Sequence, residues 1–282
     1  MPELPEVETT CRGIAPHVCA RRIEDLLLHE TRLRWPVSRT IVPQLRGAVI
    51  TNVRRRAKYL LLEVARAGVD RVGVDSRTTL ILHLGMSGNL RVLPQATPRL
   101  KHDHFDLLLD SGMTLRFNDP RRFGSLHLVS GDPNGHPLLA KLGPEPLDDS
   151  FDAEYLWRSS RSRRIAVKPF LMNGHVVVGV GNIYASEALF RAGVRPGRQA
   201  RHLKHDEITR IVDAIKQVLA MAIKVGGTTL RDYVGADGTP GYFRQKLFVY
   251  ERAGEPCRKC GEAVRHRVQG QRSTYWCHAC QR

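Results

Sequence analysis

The chain opens MPELPEVETTCRGI, residues 1–14. Pro5 suits the first position of a helix. Leu4, Val7, Cys11 and Ile14 then recur at the spacing of one helical face, with Gly13 near the end. The pattern predicts a helix seated on a core. The two residues before it carry a chemical possibility. Proline directly after the initiator allows the methionine to be trimmed, which leaves Pro2 with a free secondary amine. An α-amino group titrates near pH ~8, so a useful fraction is nucleophilic at neutral pH. Attack on an aldehydic carbon would give an iminium, the electron sink of amine catalysis, and Glu3 stands beside it as a proton donor. The positive end of the helix dipole also disfavours the protonated amine. From spacing alone, a Pro-Glu pair that merely leads into a buried helix is the simpler alternative.

Length and charge narrow the class. A chain of 282 residues is long enough for two domains with a small appendage, and 42% apolar residues suit a protein with real cores. Lys and Arg number 44 against 28 Asp and Glu, a net +16. This surplus points to a polyanionic partner, nucleic acid before an anionic membrane. No apolar run approaches the ~20 residues of a bilayer span. Carboxylates stand where a signal peptide would place lysines and an apolar stretch. A soluble cytoplasmic protein with no membrane partner is expected.

The cysteines form two groups. Cys11 and Cys19 stand alone and read as small buried hydrophobes. Cys257, Cys260, Cys277 and Cys280 form two C-x2-C pairs separated by sixteen residues. In a reducing compartment this spacing predicts one tetrahedral structural Zn2+ with no position left open for catalysis. The tail around them is basic, with Arg244, Lys246, Arg252, Arg258, Lys259, Arg265, Arg267, Arg272 and Arg282 against Glu251, Glu255 and Glu262. A zinc-pinned hairpin so poor in apolar residues suits a phosphate backbone.

Between the two ends, short apolar or alternating runs recur at 59–64, 79–84, 89–93, 105–109, 113–117 and 125–129, which predicts a β-sandwich or barrel. Residues 65–77 read as a long hairpin loop, and 131–146, with four prolines, as the way out of this domain. Helices are predicted at 182–191 and, capped by Asp206, along Ile208, Ile211, Val212, Ile215, Val218, Leu219, Ala222 and Ile223 to Gly226-Gly227. Gly179-Val180-Gly181-Asn182 would offer bare N–H groups at a helix start, a seat for phosphate or simply tight packing. Arg54-Arg55-Arg56 with Lys58, Arg121-Arg122, and Arg158 to Lys168 add three basic clusters. In Asp119-Pro120-Arg121-Arg122-Phe123-Gly124, Phe123 either pushes between bases or returns to the core from an ordinary turn.

Longer motifs now align. MPELPEVE at residue 1, RRAKYLLLE at 55, HLGMSG at 83, KHDHFDL at 101, NDPRRFG at 118, LGPEPL at 142, VGVGNIYASEALF at 178, GGTTLRDY at 226 and the four terminal cysteines resemble the formamidopyrimidine-DNA glycosylase family from end to end. The 65–77 loop is longer than that pattern. Endonuclease VIII-like relatives begin Pro-Glu-Gly-Pro and lack HLGMSG followed by DPRRFG, so Leu4, Met86 and Phe123 favour the oxidised-purine branch.

The resemblance implies an α+β multidomain protein: an N-terminal β-sandwich domain with a leading helix (1–136), a linker and helix–two-turn–helix domain (137–236), and a zinc β-hairpin (237–282). It implies a monomer acting on damaged double-stranded DNA, a bifunctional glycosylase and abasic-site lyase. Pro2 would attack C1′ while Glu3 protonates the sugar ring oxygen or the departing base. The family assigns Lys58 to β-elimination and Arg272 to δ-elimination. A guanidinium stays protonated in proteins, so a bidentate clamp on phosphate is the better description of Arg272. Met86, Arg121 and Phe123 would fill the gap left by a flipped nucleotide, with Arg121 facing the orphaned cytosine. His83, His102, Arg163 and Asn182 would hold the backbone, Lys168 would lie near the lesion pocket, and residues 228–242 would close over the flipped base.

Overall fold

A computed structural model of the chain describes residues 2–66, 78–226 and 247–282. They gather into two compact units: residues 2–140 with Gly226 form one, and residues 141–225 with 247–282 form the other. The expected boundary at 236/237, the residues 228–242 and nearly all of the 65–77 loop lie outside the described residues.

In the first unit α1 spans Leu4–Val18 and buries Leu4, Val7, Cys11, Ile14 and Val18. It runs past Gly13, where the sequence suggested an end. A helical glycine costs about 1 kcal/mol relative to alanine, whereas burying a valine contributes about 1.5–3 kcal/mol; Val18, fully buried, decides the matter. Glu3 is the N-cap, and its N–H donates to the Glu6 carboxylate at 2.9 Å.

Behind α1 stand two four-stranded sheets. One has β1 (Ile23–Leu28), β6 (Asp103–Leu109), β7 (Met113–Asn118) and β5 (Asn89–Pro94) in that order; the other has β2 (Val49–Arg56), β3 (Tyr59–Ala65), β4 (Thr78–His83) and β8 (Ser125–Ser130). All neighbouring strands are antiparallel. Leu60, Leu62, Leu80 and Leu82 share one core with Phe105, Leu107, Leu115 and Phe117, together with the buried face of α1. This is a sandwich rather than a barrel, with a short helix α2 (Ile41–Leu45) after β1.

The second unit carries α3 (Ala153–Ser160), α4 (Val167–Leu171), α5 (Asn182–Ala192) and α6 (His205–Lys224), then the hairpin of β9 (Arg265–Gln269) and β10 (Arg272–Trp276). Helix α5 starts at Asn182 as expected and stops at Gly193, whose φ of +69° gives the left-handed exit that glycine favours. Helix α6 is capped at Lys204, not Asp206: the Lys204 N–H donates to the Glu207 carboxylate at 2.7 Å, which moves the start back by two residues. Its predicted apolar stripe is buried from Ile208 to Ala222, and α5 and α6 pack together. The hairpin seats on α5 through Phe190, Val249, Val264 and Cys277.

Candidate active site

Pro2 and Glu3 are both buried at the start of α1, which packs on β2 and β3. The turn joining those strands has two residues, Ala57 and Lys58, between the paired Arg56 and Tyr59. Ala57 holds φ +55°, a region alanine enters at a cost of about 1–2 kcal/mol. Across the sheet Tyr59 pairs with His83, their rings 4.8 Å apart. The Gly85 N–H donates to His83 Nδ1 at 2.9 Å, which leaves the proton of the neutral ring on Nε2. Burial, and then the positive charges of Lys58 and Arg34, push the His83 imidazole down to about 4. At neutral pH His83 is therefore an uncharged hydrogen-bond donor beside two cations. Arg34 is an addition that no motif flagged. Its N–H donates to the Gly124 carbonyl, and its guanidinium lies 4.8 Å from the Trp35 ring.

Two loops of the same unit are built against each other. Gly85 has φ +69°, and a Cβ there would lie 2.5 Å from the Gly124 nitrogen, so only glycine lets the HLGMSG turn reach the DPRRFG loop. Asp119, wholly buried, organises both. Its carboxylate accepts from Ser87 Oγ at 2.6 Å and from the Gly124 N–H at 2.8 Å, while its carbonyl takes the His104 ring at 2.7 Å. The outcome is a braced platform with Arg121 exposed and Phe123 43% exposed, the guanidinium 5.2 Å from the ring. Phe123 thus does not return to the core. Met86 is half-buried on the neighbouring turn. His102, at φ +74°, accepts the Asp119 N–H through its carbonyl.

In the second unit Arg163 is exposed and lines a concavity of about 400 Å³ with Ser162, Arg164 and Asn173. Asn182 opens α5, its amide donating to the Tyr250 hydroxyl at 3.3 Å. Lys168 is only 1% exposed, and its ammonium donates to the Ser273 carbonyl at 2.6 Å and to Thr274 Oγ1 at 3.0 Å. The side chain expected at a lesion pocket is thus engaged with the strand that carries Arg272. Arg272 itself is exposed directly after the turn Gly270-Gln271, where φ of +56° and +59° gives the twist a two-residue hairpin favours. Glu187 went unnoticed in the sequence because it sits among the apolar residues of α5. It is buried and accepts the N–H groups of Phe248, Val249 and Tyr250, each at 2.9 Å. Burial outweighs those three donors and raises its carboxyl.

The four terminal sulfurs lie within 4.8 Å of one another, with Cys257 to Cys280 at 4.0 Å and Cys260 to Cys277 at 3.5 Å. Zinc–sulfur bonds of about 2.3 Å place tetrahedral sulfurs about 3.8 Å apart, so the donor set fits one zinc. Burial opposes ionisation of Cys257, but the N–H groups of Lys259 and Cys260 prevail and bring it down to about 7. When bound, the metal would tie the two knuckles together; the hairpin also packs on α5 and holds the Lys168 ammonium of α4.

Comparison with known proteins follows the same order along the chain. Residues 1–126 match the formamidopyrimidine-DNA glycosylase N-terminal domain, 142–234 the formamidopyrimidine-DNA glycosylase H2TH domain, and 254–282 the zinc finger found in FPG and IleRS. The formamidopyrimidine-DNA glycosylase of Thioalkalivibrio sulfidiphilus is 56% identical over the full length of both chains. The crystal structure of the MutM (Fpg) protein from Thermus thermophilus superposes with a TM-score of 0.86 at 38% identity, covering 99% of this chain and 98% of that one. The Lactococcus lactis Fpg in complex with Fapy-dG-containing DNA gives 0.88 at 32%, over 99% of this chain and 100% of that one. Sandwich, helical module and four-cysteine hairpin agree with these relatives from end to end, and the chain belongs to the formamidopyrimidine-DNA glycosylase family.

Proposed function

We propose that the chain removes oxidised purines such as 8-oxoguanine and formamidopyrimidines from duplex DNA and then cleaves the abasic site. The observation that carries the chemistry is the Pro2–Glu3 pair at the head of α1, packed on the two strands whose turn presents Lys58 beside His83. With Met1 removed, the Pro2 nitrogen attacks C1′ of the damaged nucleotide and the bond from C1′ to the base breaks. Glu3 delivers a proton to the ring oxygen or the leaving base. Opening of the C1′–O4′ bond, with a proton going to O4′, then leaves an iminium between C1′ and the Pro2 nitrogen; it acidifies the C2′ hydrogen, whose loss expels the 3′-phosphate, and a second elimination expels the 5′-phosphate. Lys58 serves the first elimination, and Arg272 clamps phosphate during the second.

Recognition follows from the braced loop. Phe123 and Met86 enter the stack as the nucleotide leaves it, and Arg121 meets the orphaned base. His83, His102, Arg163 and Asn182 hold the phosphate backbone, while Lys168 acts through the strand of Arg272. We place the protein, as a monomer, with chromosomal DNA in the cytoplasm.

Borohydride trapping on 8-oxoguanine duplex tests the reading. The processed protein is expected to form a covalent DNA adduct, and Pro2→Gly to abolish or greatly slow it. An adduct that persists unchanged in Pro2→Gly would assign the nucleophile to another amine and sink the mechanism.

A further inference from the structure

We infer that Arg55 is a positioning residue for the elimination step: its guanidinium ties the helix headed by Pro2 and Glu3 to the peptide that carries Lys58. The inference rests on the function proposed above and concerns a residue to which that mechanism gives no role. Arg55 Nε donates to Glu8 Oε2 on α1 at 2.8 Å, and its Nη1 donates to the Ala57 carbonyl at 3.0 Å. That carbonyl belongs to the same peptide unit as the Lys58 nitrogen, so the bond fixes the plane from which the lysine side chain departs. The unit follows a residue held at φ +55°, a conformation that persists only where surroundings enforce it.

The neighbouring Arg54 shows what an ordinary pair looks like here. It meets Glu63 across the strands at 2.6 Å with both side chains about one-third exposed, at 36% and 33%. Such a pair contributes about 0–1 kcal/mol. The Arg55 side chain is only 10% exposed and divides its donors between a carboxylate on one element and a backbone carbonyl on another. A planar guanidinium can span the two; an ammonium is a single point of charge. Glu8 also keeps a second cation, because Arg12 Nε donates to its other oxygen at 2.7 Å. Loss of Arg55 therefore leaves no stranded buried charge, and the fold should survive it.

The test uses the processed full-length protein on a duplex with one preformed abasic site, which separates the two steps. Trapping by borohydride reads iminium formation at Pro2, and strand scission without borohydride reads elimination. For Arg55→Lys and Arg55→Met, scission should slow by about tenfold to a hundredfold while trapping stays within about threefold of wild type. Glu8→Gln, which keeps an acceptor and loses the charge, should shift the same ratio less. If Arg55→Met melts early, the ratio in Arg55→Lys and Glu8→Gln decides. Scission and trapping that fall together in a variant with wild-type melting, or scission left unchanged, would overturn the inference. A wild-type protein that gives no Pro2 adduct would instead bring down the proposed function, a distinguishable result.

Discussion

His83 shows how position determines what a side chain can do. The resemblance has it hold the phosphate backbone, and burial with its cationic neighbours keeps the ring neutral. Its ordinary value of 6.5 falls to about 4 in the folded protein. Between those two values the unfolded chain binds the extra proton, so stability rises with pH across that window. The contribution is complete above pH 6.5 and is lost as the pH falls toward 4. Chemical denaturation at successive pH values should show this slope, and His83→Gln should flatten it. Asp119 makes the complementary point. The motif around it was readable, but its part as the hub of two loops was not, because a buried carboxylate and a solvated one look alike in one dimension. The same holds for Glu187 and for Arg55.

The elements were legible where their periodicity was clean. The face of α1 and the stripe of α6 repeat at helical spacing, and both are buried as read apart from the half-buried Ile223 at the end of α6. Strand β1 was missed because a register shift between Ile23 and Asp25 breaks alternation and leaves Ile23 and Leu26 as its buried residues. Helices α3 and α4 were missed because each is short and lies in or beside an arginine-rich stretch. At this scale Gly85 offers the sharpest test. Gly85→Ala must take a left-handed backbone and press a methyl group against the Gly124 nitrogen. A loss of about 2–4 kcal/mol by denaturant unfolding is expected. It should come with slower lesion excision, since the platform under Phe123 moves. Wild-type stability in this variant would show that the loops do not brace each other.

For the molecule as a whole, composition announced the partner: a net +16 over 282 residues is a polyanion binder's charge. The zinc site was equally readable, since four cysteines at knuckle spacing leave little freedom. What composition could not give was the union of hairpin and helical module in one unit, which depends on Phe190, Glu187 and Lys168 reaching it from distant segments. Chelating the metal should weaken binding to damaged and undamaged duplex alike, by about tenfold or more at moderate salt, because backbone contacts carry no sequence information. Fluorescence anisotropy on both duplexes would measure it; unchanged affinity would refute the hairpin's part in holding DNA. The two-residue tip of that hairpin has a geometric corollary. From Arg272 to Cys277 the chain advances through five extended steps of about 3.4 Å, so the guanidinium stands at a fixed span from the metal knot. Inserting one residue in β10 would lengthen this ruler by a single mark and turn every later side chain to the opposite face.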